Sequence, residues 1–173
     1  MNTVFARTQM VLVDEKDHEI GLKEKFACHK NPVPLHRAIS IVIYNRDKSQ
    51  ILITKRSAKK PTWPYYWSNS VCSHPYPQET YAKAAKRRLM EELGIKTPLK
   101  ELFRFVYQAK MNKTWGEHEL DAVFVGTYEG ALLPNPDEIV GFEWLEIKKL
   151  KVELSKNPDK FTPWIKTIFP RLV

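Results

Sequence analysis

Three histidines and two glutamates, His29, His36, His74, Glu117 and Glu119, are residue types that together could hold a metal. Neutral imidazoles mixed with carboxylates suit a divalent ion of borderline hardness, such as Mn, Zn, Fe or Co. Glu117-His118-Glu119 falls in a strand-like run, where alternation puts both glutamates on one face and His118 on the other. The apolar run at residues 122–125 follows, which draws at least one glutamate toward the interior. Spacing alone does not make the five converge. Taken singly, a histidine is usually structural or exposed, and that reading is kept for His18 and His118.

A second group surrounds Cys72, in Trp67-Ser68-Asn69-Ser70-Val71-Cys72-Ser73-His74-Pro75. A Cys-x-His pair is half of a zinc site, but the chain offers no second cysteine pair to complete one. The alternatives are a reactive thiol tuned by nearby charge and an ordinary loop cysteine. Cys28, beside Phe26 and Ala27, reads as a buried spectator.

The third group lies on a helix expected over residues 78–93, free of internal Gly or Pro and stopped by Gly94. Ala82, Leu89 and Leu93 share an apolar arc, and Arg87, Arg88, Glu91 and Glu92 share another face. Such a face is commonly solvated, with i,i+4 pairs worth about 0.2–0.5 kcal/mol each. The alternative is a face that meets a metal-bound phosphate.

The elements that must position these groups read as mostly strand. Strands are expected at residues 9–13, 37–44, 51–54, 102–108, 117–127 and 140–146, with 37–44 and 51–54 forming a hairpin. Helices are expected at 147–155 and 161–169, with Pro163 in a first turn. The pattern is that of an α+β fold, a mixed sheet with helices packed on it, and 173 residues fit a single domain.

The chain carries 28 Lys+Arg against 20 Asp+Glu, a formal charge of +8. That excess admits a nucleic acid, an anionic surface or a phosphorylated small molecule. Mean hydropathy is −0.44, and no apolar run approaches the roughly 18–20 residues of a membrane helix. The start Met1-Asn2-Thr3 shows no signal-peptide pattern, so a cytoplasmic protein with reduced thiols and no membrane partner is expected.

From Ser73 to Ile95 the chain resembles the Nudix box, with Glu79, Arg87, Leu89, Glu91, Glu92, Gly94 and Ile95 in register. Ser73 stands where the first Gly belongs. Arg88 stands where hydrolases carry a metal-binding Glu, which argues against diphosphate hydrolysis. Together with Leu22, Lys25-Phe26, His29, Leu35-His36, Thr54-Lys55-Arg56, the string from Trp63 to Pro75, Glu117-x-Glu119 and Thr162-Pro163-Trp164, the box resembles the type I isopentenyl diphosphate isomerases, a branch of the Nudix fold.

That resemblance implies a Nudix-type mixed sheet sandwiched by helices, with extra N-terminal strands. It implies a 1,3-allylic proton shift converting isopentenyl to dimethylallyl diphosphate in isoprenoid precursor synthesis. By the same resemblance Cys72 and Glu119 are the two acid/base groups and Tyr107 assists Glu119. Trp164 stacks on the carbocation, and Lys25, Arg56, Lys60, Arg88 and Ser73 bind the diphosphate. His29, His36, His74, Glu117 and Glu119 would hold one divalent metal (Mn2+, Zn2+ or Mg2+). A Mg2+ bridging the diphosphate would sit at Glu92. Glu79 and Glu91 have no matched role. The partner is then a small diphosphate and not a nucleic acid, with a monomer expected and a dimer the alternative. A nucleic-acid platform built from Trp63, Tyr65, Tyr66 and Trp67 beside Lys59 and Lys60 competes, but it leaves the His/Glu set unexplained.

Overall fold

The computed structural model describes residues 8–172; the Met1-Asn2-Thr3 start lies outside them. Strand β3 (His36–Tyr44) is the spine of a mixed sheet. Its Ile and Val residues suit a strand buried on both faces. Along one edge β3 pairs in parallel with β8 (Gly116–Thr127), from His36↔Glu119 to Tyr44↔Thr127. β8 continues antiparallel to β7 (Lys100–Lys110). β3 also meets β1 (Gln9–Val13) at Leu12↔His36, and β1 pairs with β2 (Glu19–Glu24), the extra N-terminal ribbon.

The expected hairpin holds only at its closed end. β3 and β4 (Gln50–Arg56) pair at Tyr44↔Ile51, and β4 then runs against β9 (Ile139–Glu146). A short segment, β5 (Trp67–Ser68) and β6 (Val71–Ser73), wedges into the gap. Two buried polar side chains make this possible. Ser70 Oγ accepts from Ile43 N at 2.8 Å and donates to Leu52 O at 2.7 Å. Asn69 Nδ2 donates to Ile41 O at 3.1 Å. They replace the ladder partners that the splayed strands would otherwise lack. The wedge sets Cys72 opposite Ser40 of β3.

Helices cover both faces, joined to the sheet by two cores. On one face Ile39, Ile41 and Ile43 pack with Tyr81, Ala84, Ala85, Leu89 and Leu93 of the main helix. On the other, Val42, Ile53 and Val123 meet Leu150 of α3 (Ile147–Lys156) and Trp164, Ile165 and Ile168 of α4 (Pro163–Ile168). A four-residue helix, α1 (Lys25–Cys28), precedes His29 and is capped by the Glu24 carboxylate.

The main helix, α2, spans Tyr81–Leu93, three residues shorter at its start than the expected 78–93. Gln78 sits at φ 66, and extended Thr80 caps the helix by accepting from Lys83 N. Ala82 is exposed, so the buried arc runs through Tyr81, Ala84, Ala85, Leu89 and Leu93 instead. Gly94 ends the helix in the left-handed region at φ 69, where a Cβ would lie 2.9 Å from Leu133 Cβ. Among the described residues, no helix is long and apolar enough to cross a membrane.

Candidate active site

The three imidazoles form a near-equilateral cluster, with ring centroids 5.1, 5.1 and 5.2 Å apart. One ligand atom from each of His29, His36, His74, Glu117 and Glu119 lies within 4.8 Å of all the others. His29 arrives from the end of α1, His36 from the start of β3, His74 from just beyond β6, and both glutamates from one face of β8.

Main-chain carbonyls orient two of the rings. His29 Nδ1 lies 2.7 Å from Lys25 O, and His36 Nδ1 lies 2.9 Å from Pro34 O. A carbonyl only accepts, so each Nδ1 carries the hydrogen and each Nε2 turns a lone pair inward. Burial holds His29 and His36 down at about 4, and His74 well below the usual histidine range, so all three are neutral ligands at pH 7.

Two buried atoms of this cluster, His36 Nε2 and Glu117 Oε2, have no hydrogen-bond partner. An ion within the cluster is the economical way to satisfy them. Burial, reinforced by Glu119, lifts the Glu117 carboxyl well above its ordinary value, a cost that a cation would remove. The residues fit a divalent metal.

Beside this cluster runs a narrow cleft lined by Cys72, Ser73, Tyr107, Glu119 and Trp164, with Lys25, Arg56 and Lys60 also on its wall. Tyr107 stands opposite Glu119 in the β7–β8 register, and its hydroxyl donates to Glu119 Oε2 at 2.5 Å. Burial and the neighbouring carboxylates push the Tyr107 phenol up, so it stays a donor. Burial likewise pushes the Cys72 thiol up to about 11, against the lowering pull of Ser68, Arg56 and Trp164. Cys72 is therefore a thiol at neutral pH, hydrogen-bonded to Asn69 Oδ1 at 3.0 Å.

Trp164 is fixed rather than merely packed. Its Nε1 lies 2.8 Å from Ser68 Oγ and 2.9 Å from Cys72 Sγ, and its ring meets Trp63 edge-on at 5.6 Å. The Arg56 guanidinium lies 5.1 Å from the same ring.

At one end of the cleft the cations are paired. Lys60 Nζ contacts Glu138 closely and lies 3.8 Å from Glu92, while Arg88 NH2 donates to Glu92 at 2.7 Å and to Glu138 at 2.6 Å. Lys25 is held below its usual range, first by burial and then by Lys60. The box residues Glu79 and Glu91 are both held by arginines. Arg87 forks onto Glu79 at 2.8 and 2.7 Å, and Arg87 and Arg88 both reach Glu91. Arg88 thus neutralises the Glu92 and Glu138 carboxylates.

A family model of the NUDIX domain matches residues 34–170. Over 165 residues the chain is 41% identical to Isopentenyl-diphosphate Delta-isomerase 1 of Aromatoleum aromaticum, covering 95% of this chain and 92% of that one. It is 36% identical to Isopentenyl-diphosphate Delta-isomerase of Pectobacterium atrosepticum, covering 95% and 91%. The chain belongs to the isopentenyl-diphosphate Delta-isomerases of the Nudix family. Two solved structures share the fold at lower identity. DR0079 of Deinococcus radiodurans has a TM-score of 0.77 at 21% identity, over 94% of this chain and 98% of that one. The E. coli dihydroneopterin triphosphate pyrophosphohydrolase has a TM-score of 0.59 at 18% identity, over 84% and 97%.

In this family member every site residue expected from sequence falls in one region, although His36 is wholly enclosed, and Arg88 and Glu92 meet the cleft through Lys60 rather than line it. Four participants escaped the sequence reading. Glu138 joins the cations, Thr62 hydrogen-bonds Glu117, and Ser40 donates to Asp121 at 2.7 Å beneath Cys72. Only Asp121 had a signal, since the alternation that pairs Glu117 with Glu119 reaches it next. Of the four rings of the alternative aromatic platform, Trp63 is buried against Trp164, Tyr66 and Trp67 are half-buried, and Tyr65 is exposed.

Proposed function

We propose that this chain interconverts isopentenyl diphosphate and dimethylallyl diphosphate by a 1,3-allylic proton shift, with Cys72 and Glu119 as the two proton-handling groups. The observation that carries the reading is that a buried thiol and a carboxylate line one narrow cleft, brought there by β6 and β8, which both pair with β3. Moving a double bond one carbon along requires a proton added at one end and another removed at the other. One acid and one base therefore suffice.

Protonating the terminal methylene leaves a tertiary cation at C3, and loss of a C2 proton completes the shift. Water must be kept out, because it would capture the cation. The buried Trp164 ring supplies a π face without a nucleophile, and its two hydrogen bonds hold it there. Tyr107 can pass a proton to or from Glu119 Oε2 along a bond already formed.

His29, His36, His74, Glu117 and Glu119 would hold one divalent ion, Mn2+, Zn2+ or Mg2+, and Glu92 a Mg2+ that meets the diphosphate. When bound, these ions supply positive charge to Glu119 and to the phosphate oxygens. Lys25, Arg56, Lys60, Arg88 and Ser73 grip the diphosphate. Lys60 lines the cleft in contact with Glu138, and Arg88 stands behind it on Glu138 and Glu92. The partner in this proposal is a small diphosphate, and the protein a monomer of the cytoplasm.

The test is incubation of metal-loaded protein with isopentenyl diphosphate in D2O, followed by NMR. Deuterium is expected in dimethylallyl diphosphate. Free phosphate without an allylic product would overturn the reading.

A further inference from the structure

Thr62 bridges Glu117 of the cluster and Arg56 of the cleft wall. It is 1% exposed, and its Oγ1 donates to Glu117 Oε1 at 2.5 Å. On its other side lies Arg56. The Thr62 carbonyl accepts from Arg56 Nε at 3.3 Å and NH2 at 2.8 Å, the Trp63 carbonyl accepts from Nε at 3.1 Å, and Arg56 NH2 lies 3.4 Å from Thr62 Oγ1.

These neighbours leave the hydroxyl one orientation. A guanidinium can only donate, and Glu117, ionised once a cation sits in the cluster, can only accept. The Thr62 hydrogen must therefore point at Glu117, with a lone pair toward Arg56. The next residue tethers the loop. Trp63 is held at φ 43 and its N–H donates to Met111 Sδ at 3.1 Å.

The consequence falls on Glu117. Its Oε1 is occupied by Thr62, while its Oε2 is buried, without a hydrogen bond, and 3.2 Å from His29 Nε2. We infer that Thr62 is a positioning residue that presents Glu117 to the metal through Oε2 alone. This rests on the reading of the His/Glu cluster as a metal centre. A carboxylate freed from Thr62 could rotate, or offer both oxygens, and the pre-set ligand geometry would be lost. Outer hydrogen bonds of this kind are worth roughly 10–100-fold in metal affinity.

Binding of Mn2+, followed by the electron paramagnetic resonance of the free ion, would be measured for wild type, Thr62→Val and Thr62→Ser. Valine keeps the shape and removes the hydroxyl; serine restores it. Thr62→Val should bind Mn2+ roughly 10–100-fold more weakly, and Thr62→Ser should recover most of the loss. The near-UV circular dichroism of the metal-free proteins should coincide. Wild-type affinity in Thr62→Val overturns the role of Thr62 and leaves the metal reading standing. Equal losses in Thr62→Val and Thr62→Ser with an altered spectrum assign the effect to the loop and also overturn it. If the wild type binds no Mn2+, the metal reading fails first and takes the inference with it.

Discussion

The indole Nε1 of Trp164 lies 2.9 Å from the sulfur of Cys72, 92 positions away in the chain. The C-terminal helix therefore does more than close the core, because it supplies a donor to the group proposed to handle a proton. Thr162 N also donates to Trp67 O at 2.9 Å, stitching this segment to the first strand of the wedge.

Trp164→Phe removes that donor and keeps an aromatic face. With one hydrogen bond to the sulfur lost, kcat should fall by about tenfold while KM moves little. Steady-state rates over a range of isopentenyl diphosphate concentrations separate the two. A change confined to KM would count against a role at Cys72.

Cys72→Ala and Glu119→Gln should both lose turnover by at least about 10²–10⁴-fold, read by NMR in D2O. Their metal content should differ. Cys72→Ala should bind Mn2+ normally, whereas Glu119→Gln should bind it weakly, since Glu119 belongs to the cluster. Substantial activity in Cys72→Ala would sink the two-group mechanism.

How much of this was legible in the sequence depends on how each residue is held. Strands such as β3 and β8 announce themselves by apolar runs, and α2 by its length and Gly94. The five metal-cluster residues could be chosen by type, and all five sit on or beside regular elements. Glu138 and Thr62 lie in loops, where no period marks a residue as inward, and their partners are distant in sequence. The hairpin expectation failed for a related reason. Pairing along β3 is decided by Asn69 and Ser70, whose inserted side chains bond strand groups that local pattern would have paired with each other.

Arg88→Glu would place a third carboxylate beside Glu92 and Glu138, which Arg88 now neutralises. The loss of one cation contact and the added repulsion should raise KM for the diphosphate by roughly 10–100-fold. Metal binding at the His/Glu cluster should be unchanged. Initial-rate kinetics and metal titration test the two halves separately.

Glu138 gives a pH signature. Burial pushes its carboxyl up, but Lys60 and Arg88 outweigh that and hold it at about 2. A carboxyl depressed in the folded state stabilises the fold above its unfolded value, near 4.5, and that contribution fades as pH falls toward 2. Glu138→Gln should therefore cost on the order of 2–3 kcal/mol at pH 7. The gap from wild type should close between about pH 4.5 and 2. Denaturant unfolding of both proteins across that range measures it; a gap that ignores pH would remove the ion pairs as its source.

His36, His29 and Glu117 are 0%, 2% and 3% exposed, while the side chains of His74 and Glu119 retain 13% and 10%. The outside world thus reaches the cluster through one corner, and that corner also faces the cleft. An ion arriving or departing has to use the substrate's doorway. Metal exchange and turnover are then rivals for a single passage. A chelator would strip the resting protein faster than the working one, and a bound substrate would act as the lock on its own metal.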